Sequence, residues 1–270
     1  MPELPEVETT RRGILPHLRG ELVSKVIVRN PAMRWPIEKN VNRITGMIIT
    51  GVARRAKYLL IECSPGTLML HLGMSGSLRV CQPDIPLKKH DHFIMQLKNG
   101  TELRLHDPRR FGAVIWHEGA INDHSLINHL GPEPLDHDFH ADYLHQSCRD
   151  RKTTIKQHIM NGKVVVGVGN IYASEALFRC GIHPKRLAGR ISKARLVKLV
   201  IEIKAVLDEA INQGGTTLRD FLNESGEPGY FKQRLTVYDR EKEPCRICGK
   251  PIHKIVISNR ATYYCMSCQH

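Results

Sequence analysis

At 270 residues the chain is long enough for two domains with cores of their own, and 41% hydrophobic with 25% charged residues excludes a disordered chain. Forty Lys and Arg against 27 Asp and Glu leave a net charge of +13, which points to a polyanionic partner. Nucleic acid ranks ahead of an anionic membrane because no basic amphipathic helix with an aromatic face is present. No apolar run approaches the ~18 residues of a membrane span, and the acidic start lacks the apolar segment of a signal peptide. A cytosolic protein is expected, with its eight cysteines reduced or metal-bound.

The chain opens Met1-Pro2-Glu3-Leu4-Pro5-Glu6. Leu4, Val7, Ile14, Leu15 and Leu18 recur near the helical period and predict an amphipathic helix over 4–18. Pro5 suits its first turn, and Glu3, Glu6 and Glu8 oppose the macrodipole. A capped helix start is a sufficient account of these residues. A chemical account stands beside it. Trimming of Met1 leaves Pro2 as a free secondary amine, able to attack an electrophilic carbon and form a charged imine. An α-amino group titrates near ~7.7–8.0, so a fraction is deprotonated at neutral pH, with Glu3 and Glu6 at hand as proton donor and acceptor.

Alternation follows. Val23, Val26 and Val28 begin it, and Ile48–Val52, Lys57–Cys63, Thr67–Leu72, Ser77–Cys81, His92–Leu97, Thr101–Leu105 and Ala113–Trp116 continue it, broken by turns such as Ser64-Pro65-Gly66 and Asn99-Gly100. Short strands at this spacing predict an antiparallel sandwich or barrel over roughly 1–130. Within it, His71-Leu72-Gly73-Met74-Ser75-Gly76 places Met74 on a glycine-bearing turn. Asp107-Pro108-Arg109-Arg110-Phe111-Gly112 offers two arginines and an aromatic for phosphate contact and base stacking. A core Phe111 with solvated arginines is the alternative.

Leu130-Gly131-Pro132-Glu133-Pro134 marks a boundary by its breaker residues. Beyond it the period is helical to about residue 223, with Leu196, Val197, Val200, Ile201, Val206, Leu207, Ala210 and Ile211 assigned to one broad face ahead of Gly214-Gly215. Lys152–Met160 and Ala173–Phe178 read as helices joined by the glycine-bearing Val164–Tyr172, where Asn170 is expected to cap the second helix and bare N–H groups to receive a phosphate; a plain interhelical loop is the alternative. Residues 224–240 read as an exposed loop and linker. The last stretch, 241–270, reads as a separate small unit. Cys245 and Cys248, then Cys265 and Cys268, have the spacing of a closed four-thiolate zinc site, so one structural Zn2+ is expected. Arg260 lies between the pairs, where a hairpin tip would set it against a phosphate; a solvent-facing arginine is the equal alternative. Cys63, Cys81, Cys148 and Cys180 show no such spacing and read as packing residues.

Over its whole length the chain resembles the bacterial formamidopyrimidine-DNA glycosylase family. PELPEVE, AKYL, HLGMSGSLR, DPRRFG, LGPEP, VVGVGNIYASE and the four-cysteine finger carry the likeness. The resemblance implies an α+β fold: an N-terminal antiparallel β-sandwich with a leading helix, then a helical domain with a helix–two-turns–helix motif and a zinc finger, DNA lying in the cleft between them. It implies a monomeric base-excision-repair enzyme of the bacterial cytoplasm and nucleoid. Such an enzyme removes 8-oxoguanine and formamidopyrimidines, preferably opposite cytosine in duplex DNA, and then cuts the strand by β,δ-elimination.

Position by position, the resemblance makes Pro2 the nucleophile at C1′ and Glu3 a proton donor, with Glu6 supporting the same site. Lys57 matches the lysine of the β-elimination step and Arg260 the arginine of the δ-elimination step. His90, Arg151, Lys156 and Asn170 match phosphate contacts. Met74, Arg109 and Phe111 match the residues that fill the void left by an extruded nucleotide. The glycine-bearing stretch, roughly Thr217–Tyr238, matches the loop that closes over the flipped base. The related endonuclease VIII branch prefers oxidised pyrimidines; Leu4 with the complete Met74, Arg109 and Phe111 set favours the purine reading. A catalytically silent DNA-binding protein on the same scaffold would result if Met1 were retained, since the Pro2 nitrogen would then be an amide.

Overall fold

A computed structural model describes residues 2–215 and 234–270. They form two compact units, one built on 2–128 with 213–215, the other on 129–212 with 234–270. Most of the stretch matched to the base-covering loop falls outside the described residues.

The first unit opens with α1 (Leu4–Leu18), which buries Leu4, Val7, Ile14 and Leu18 as the periodicity predicts. Glu3 and Glu6 close a capping box at its head, the Glu3 N–H donating to Glu6 Oε2 at 2.8 Å. Eight strands follow: β1 (Val23–Val28), β2 (Ile49–Arg55), β3 (Tyr58–Cys63), β4 (Gly66–His71), β5 (Ser77–Cys81), β6 (Asp91–Leu97), β7 (Glu102–His106) and β8 (Ala113–Glu118). They make two four-stranded sheets, ordered β1-β6-β7-β5 and β2-β3-β4-β8, with antiparallel pairing throughout. Phe93, Met95, Leu103 and Leu105 from one sheet share a core with Leu59, Ile61, Leu68 and Leu70 from the other. Ile14 and Leu18 of α1 enter the same core, and so do Val41 and Ile44 of a 3-10 turn over Lys39–Ile44. The arrangement is a sandwich, with each fully buried aliphatic contributing roughly 1.5–3 kcal/mol.

Glu8 ties α1 to this sandwich. Its carboxylate receives Arg11 Nε and Nη2 (3.0 and 2.8 Å), Arg12 Nε (2.9 Å) and Arg54 Nε from β2 (3.1 Å). Burial opposes the charged form, but the hydrogen bonds from Arg11 and Arg12 outweigh it and hold the pKa at about 2, against 4.5 for an ordinary glutamate. The folded value is the lower one, so this stabilisation is complete above pH 4.5 and is lost as the pH falls toward 2. Glu8→Gln is expected to cost about 2–3 kcal/mol at pH 7, below the ~3–5 kcal/mol of a fully buried pair because Arg12 is half exposed. Urea titrations from pH 7 to 2 check this: the wild-type advantage should shrink below pH 4.5, and a pH-independent gap would exclude the ionic account.

The second unit contains α2 (Ala141–Cys148), α3 (Ile155–Ile159), α4 (Asn170–Arg179), α5 (Lys193–Asn212) and the hairpin β9 (His253–Ile257) with β10 (Arg260–Tyr264). Thr154 and Gln157 close a capping box at the start of α3. The two turns between α3 and α4 are held by Gly131 N–H on Gly162 O and by Val166 N–H on Pro132 O, so the boundary segment also braces the motif. Helix α5 buries Leu199 and Ile203, whereas Val197 and Ile201 are exposed. The broad face assigned from sequence was too wide: Val197 and Ile201 each sit about 100° around the axis from Leu196 and Val200, beyond the stripe that packs.

Two further expectations are corrected. Residues 224–240 are not wholly an exposed loop: Leu235 and Val237 are buried, and the buried Glu175 carboxylate of α4 accepts the N–H groups of Thr236, Val237 and Tyr238 at 2.8–3.0 Å. Nor is the cysteine-bearing segment a separate unit. Cys245, Ile252, Tyr263 and Cys265 share a core with Phe178 of α4 and with Val237, because so short a segment borrows apolar surface to complete its own. Among the described residues no helix is long and apolar enough to cross a membrane.

Candidate active site, nucleic-acid interface and zinc centre

In the first unit Pro2 is buried at the head of α1, with Glu3 3% and Glu6 0% exposed. The Gly215 backbone lies against the Glu6 side chain, so close that a Cβ there would stand 3.3 Å from its Cγ and Oε1. The strongly polar head of α1 is thus inside the protein, which a solvated helix start would not be.

Lys57 occupies the two-residue turn Ala56-Lys57 between β2 and β3, flanked by the pair Arg55↔Tyr58. Ala56 is left-handed, with φ 54°, at a cost of roughly 1–2 kcal/mol for a residue bearing a Cβ. The next rung, Tyr58↔His71, brings in His71, whose ring lies 5.0 Å from that of Tyr58. Burial, then the positive charge of Lys57, lowers the His71 pKa to about 4, so the imidazole is neutral at pH 7. Its Nδ1 accepts the Gly73 N–H at 3.0 Å, which leaves the proton on Nε2. Sequence reading missed His71; no periodicity marks it, and only the strand register places it beside Lys57.

The loops carrying Met74, Arg109 and Phe111 are brought together by Asp107, which is fully buried. Its carboxylate accepts Ser75 Oγ at 2.9 Å, Gly112 N–H at 2.8 Å and Arg109 N–H at 3.3 Å. The two backbones touch: a Cβ on Gly73 would lie 2.5 Å from the Phe111 carbonyl carbon, and one on Gly112 would lie 2.7 Å from His71 O. Both glycines are therefore needed for the approach. Met74 and Arg109 are exposed and Phe111 is half-buried, outside the sandwich core. The Phe111 ring has the Arg109 guanidinium 5.1 Å and that of Arg34 5.9 Å from its centroid. The arrangement presents an apolar wedge between cations at a rigid loop tip.

His90 is half-buried, its ring edge-on to His92 and His106 at 5.8 and 5.9 Å. The adjacent Asp91 is fully buried and accepts Arg79 Nη2, His106 Nδ1 and Lys88 N–H. Burial would raise its pKa, but the Lys88 N–H and the His106 and Arg79 contacts lower it, which keeps this end of the sheet ionised and fixed.

In the second unit Lys156, expected as a phosphate contact, is 1% exposed. Its ammonium donates to Asn170 Oδ1 at 2.6 Å and Thr262 Oγ1 at 2.8 Å. Asn170 was expected to cap α4. Gly169 takes that position instead, and Asn170 is the first helical residue, its Nδ2 donating to Ala261 O at 2.9 Å. Both side chains turn away from the local backbone because the β10 hairpin offers them partners over 90 residues away. They join α3, α4 and β10 into one polar node. Arg151 is exposed, its Nε on Ser147 O. Arg260 is exposed beside the hairpin turn Ser258-Asn259, both of whose residues have positive φ, as a two-residue turn of this hand requires.

The four finger cysteines place one sulfur each within 4.8 Å of the others, with Cys245–Cys268 at 3.9 Å and Cys248–Cys265 at 3.5 Å. A tetrahedral ion with Zn–S bonds of about 2.3 Å needs sulfurs about 3.8 Å apart, so the donor set fits one closed structural zinc. A backbone hydrogen bond from Lys250 leads the effects that lower the Cys248 pKa to about 7, whereas burial leads those that raise Cys265 and Cys268 in the same cluster, so a bound metal is what would hold all four as thiolates. Burial raises the other thiols, Cys63 and Cys148 to about 11 and Cys180 to about 12, so these stay protonated as packing residues.

Residues 1–114 match the Formamidopyrimidine-DNA glycosylase N-terminal domain, 130–222 the Formamidopyrimidine-DNA glycosylase H2TH domain, and 242–270 the zinc finger found in FPG and IleRS. A formamidopyrimidine-DNA glycosylase of Thioalkalivibrio sulfidiphilus is 60% identical over the full length of both chains. Wild-type Lactococcus lactis Fpg (MutM), solved with N7-benzyl-Fapy-dG containing DNA, superposes with a TM-score of 0.92 at 32% identity, covering 100% of each chain. A MutM complex with carbocyclic 8-oxo-G containing DNA gives 0.92 at 32%, again over 100% of each. The chain belongs to the formamidopyrimidine-DNA glycosylase family, the base-excision-repair glycosylases and AP lyases that act on oxidised purines.

Proposed function

We propose that the chain excises 8-oxoguanine and formamidopyrimidines from duplex DNA, preferably opposite cytosine, as a monomer in the bacterial cytoplasm and nucleoid. The observation that carries the reading is the head of α1, where Pro2 stands beside the buried, mutually bonded Glu3 and Glu6. The Pro2 amine, freed of Met1, attacks C1′ of the extruded nucleotide; the bond from C1′ to the base breaks, and the base leaves with the proton that the amine gives up. Glu3 protonates O4′ as the sugar ring opens, and the product is a charged imine. Glu6 orients Glu3 and the nitrogen beside it. The imine draws electrons from C2′, Lys57 removes a C2′ proton, and the 3′ phosphate departs. Arg260 assists the second elimination, which expels the 5′ phosphate.

Both units contribute to DNA binding. His90, Arg151 and Asn170 meet phosphates, and Lys156 acts through Asn170. Met74, Arg109 and Phe111 enter the void, Arg109 facing the orphaned cytosine. Residues 1–130 form the catalytic domain, 131–223 the helix–two-turns–helix domain, 224–240 the end of the lesion loop with a linker, and 241–270 the zinc finger.

Borohydride trapping on duplex carrying 8-oxoguanine opposite cytosine tests the reading, with protein whose N-terminal mass shows Met1 removed. A covalent complex mapped to Pro2 is expected; none from a free Pro2 would defeat it. Phe111→Ala should slow excision from duplex at least tenfold while nonspecific affinity changes by less than about twofold, since the wedge repays unstacking and not phosphate contact. Stopped-flow excision and fluorescence anisotropy read the two quantities.

A further inference from the structure

The turn that carries Lys57 is strained at Ala56 and is held from one side by a charged side chain. Arg54, 11% exposed at its side chain, donates Nη1 to Ala56 O at 2.9 Å and Nε to Glu8 Oε2 at 3.1 Å. Glu8 belongs to α1, the helix headed by Pro2 and Glu3. Arg11, which also holds Glu8, donates Nη1 to Val52 O on β2 at 3.2 Å. One planar guanidinium therefore fixes the carbonyl of the peptide from which Lys57 departs and, at the same time, the helix from which the nucleophile departs. Glycine would adopt a φ of 54° without cost, whereas alanine needs outside support to stay there.

We infer that Arg54 is a positioning residue for strand cleavage, setting the Lys57 turn against the N-terminal helix so that the lysine reaches the C2′ proton of the Pro2 imine. This rests on the roles proposed above for Pro2 and Lys57. Imine formation needs the amine and Glu3, and without Arg54 the helix still has Arg11 on Val52 O, so Arg54 acts chiefly on the proton transfer that follows. A displacement of about 1 Å at a proton-transfer site costs up to ~100-fold in rate.

The test separates imine formation from scission on duplex with an abasic site, using the zinc-loaded full chain. Arg54→Ala should leave the trapped imine within about twofold of wild type and slow its conversion to the β-elimination product tenfold or more. Arg54→Lys keeps a cation for Glu8 but lacks the fork that also holds Ala56 O. It should show the same split, and it serves as the readout if Arg54→Ala proves too unstable in a thermal melt. Adding Ala56→Gly to either variant should restore part of the scission rate, because the turn then holds its shape unaided; a general loss of structure would not be rescued in this way. Scission at the wild-type rate in both variants overturns the inference, as does a parallel loss of imine and scission that Ala56→Gly leaves unchanged. Lys57→Ala is run alongside. If it cuts normally, the reading of Lys57 has failed; if it is slow while the Arg54 variants are not, the positioning inference alone has failed.

Discussion

Pro2→Gly is expected to lower single-turnover release of 8-oxoguanine by on the order of 100-fold, without a comparable loss of duplex binding. Glycine still offers an N-terminal amine once Met1 is removed, so chemistry persists, but it offers a primary amine on a freely rotating backbone. Proline supplies a secondary amine whose ring locks rotation about N–Cα and leaves little entropy to lose on reaching the attack geometry. The buried setting sharpens the contrast: Pro2 enters α1 directly, and the Glu3–Glu6 capping box locks the next three residues. Retaining Met1 should have the larger effect, since an amide nitrogen has no available lone pair, and trapping by borohydride should then vanish while binding survives. Equal excision by wild type and Pro2→Gly would remove Pro2 from the chemistry.

Loss of zinc should produce the other large effect, on binding. Cys248→Ser is expected to reduce zinc from one ion per chain to near zero and to weaken duplex affinity at least tenfold. Structural zinc contributes on the order of 10 kcal/mol to the folding of a finger that is too small to stabilise itself. Here the consequence reaches beyond the finger. Thr262 and Ala261 on β10 receive the Lys156 ammonium and the Asn170 amide, so melting the hairpin removes one acceptor from a buried cation and the acceptor of the Asn170 amide. The α3–α4 turns should loosen with it, and amide exchange there should rise on chelation. Metal analysis together with anisotropy checks the claim; full zinc with normal affinity would exclude these cysteines as the ligands.

Local pattern made much of the fold legible. The limits of α1 follow from its apolar spacing, Pro5 and Glu3, and the structure places them at Leu4 and Leu18 as expected. Strand β5 likewise spans Ser77–Cys81 as read, because alternation and the flanking turn residues act within a few positions. The zinc ligands were legible because two close cysteine pairs are a local signature. The chemistry proposed for Pro2 was legible for the same reason: amine and carboxylates are neighbours in the chain.

What pattern could not supply are the partners of buried polar groups. Lys156 reads as a phosphate contact until Thr262, 106 residues away, accepts a hydrogen bond from its ammonium. Asn170 reads as a cap until Ala261 claims its amide. Asp107, Glu175 and Arg54 carry no periodic mark, and each acts through hydrogen bonds to loops or helices that only folding brings near. By itself, then, the sequence determined the elements and the metal ligands, since helical period, alternation and ligand spacing are short-range, and its motifs taken together carried the resemblance to the family. The tertiary structure alone decided which charged side chains are buried and what they hold, because a polar group enters the interior only where distant parts of the chain complete its hydrogen bonds.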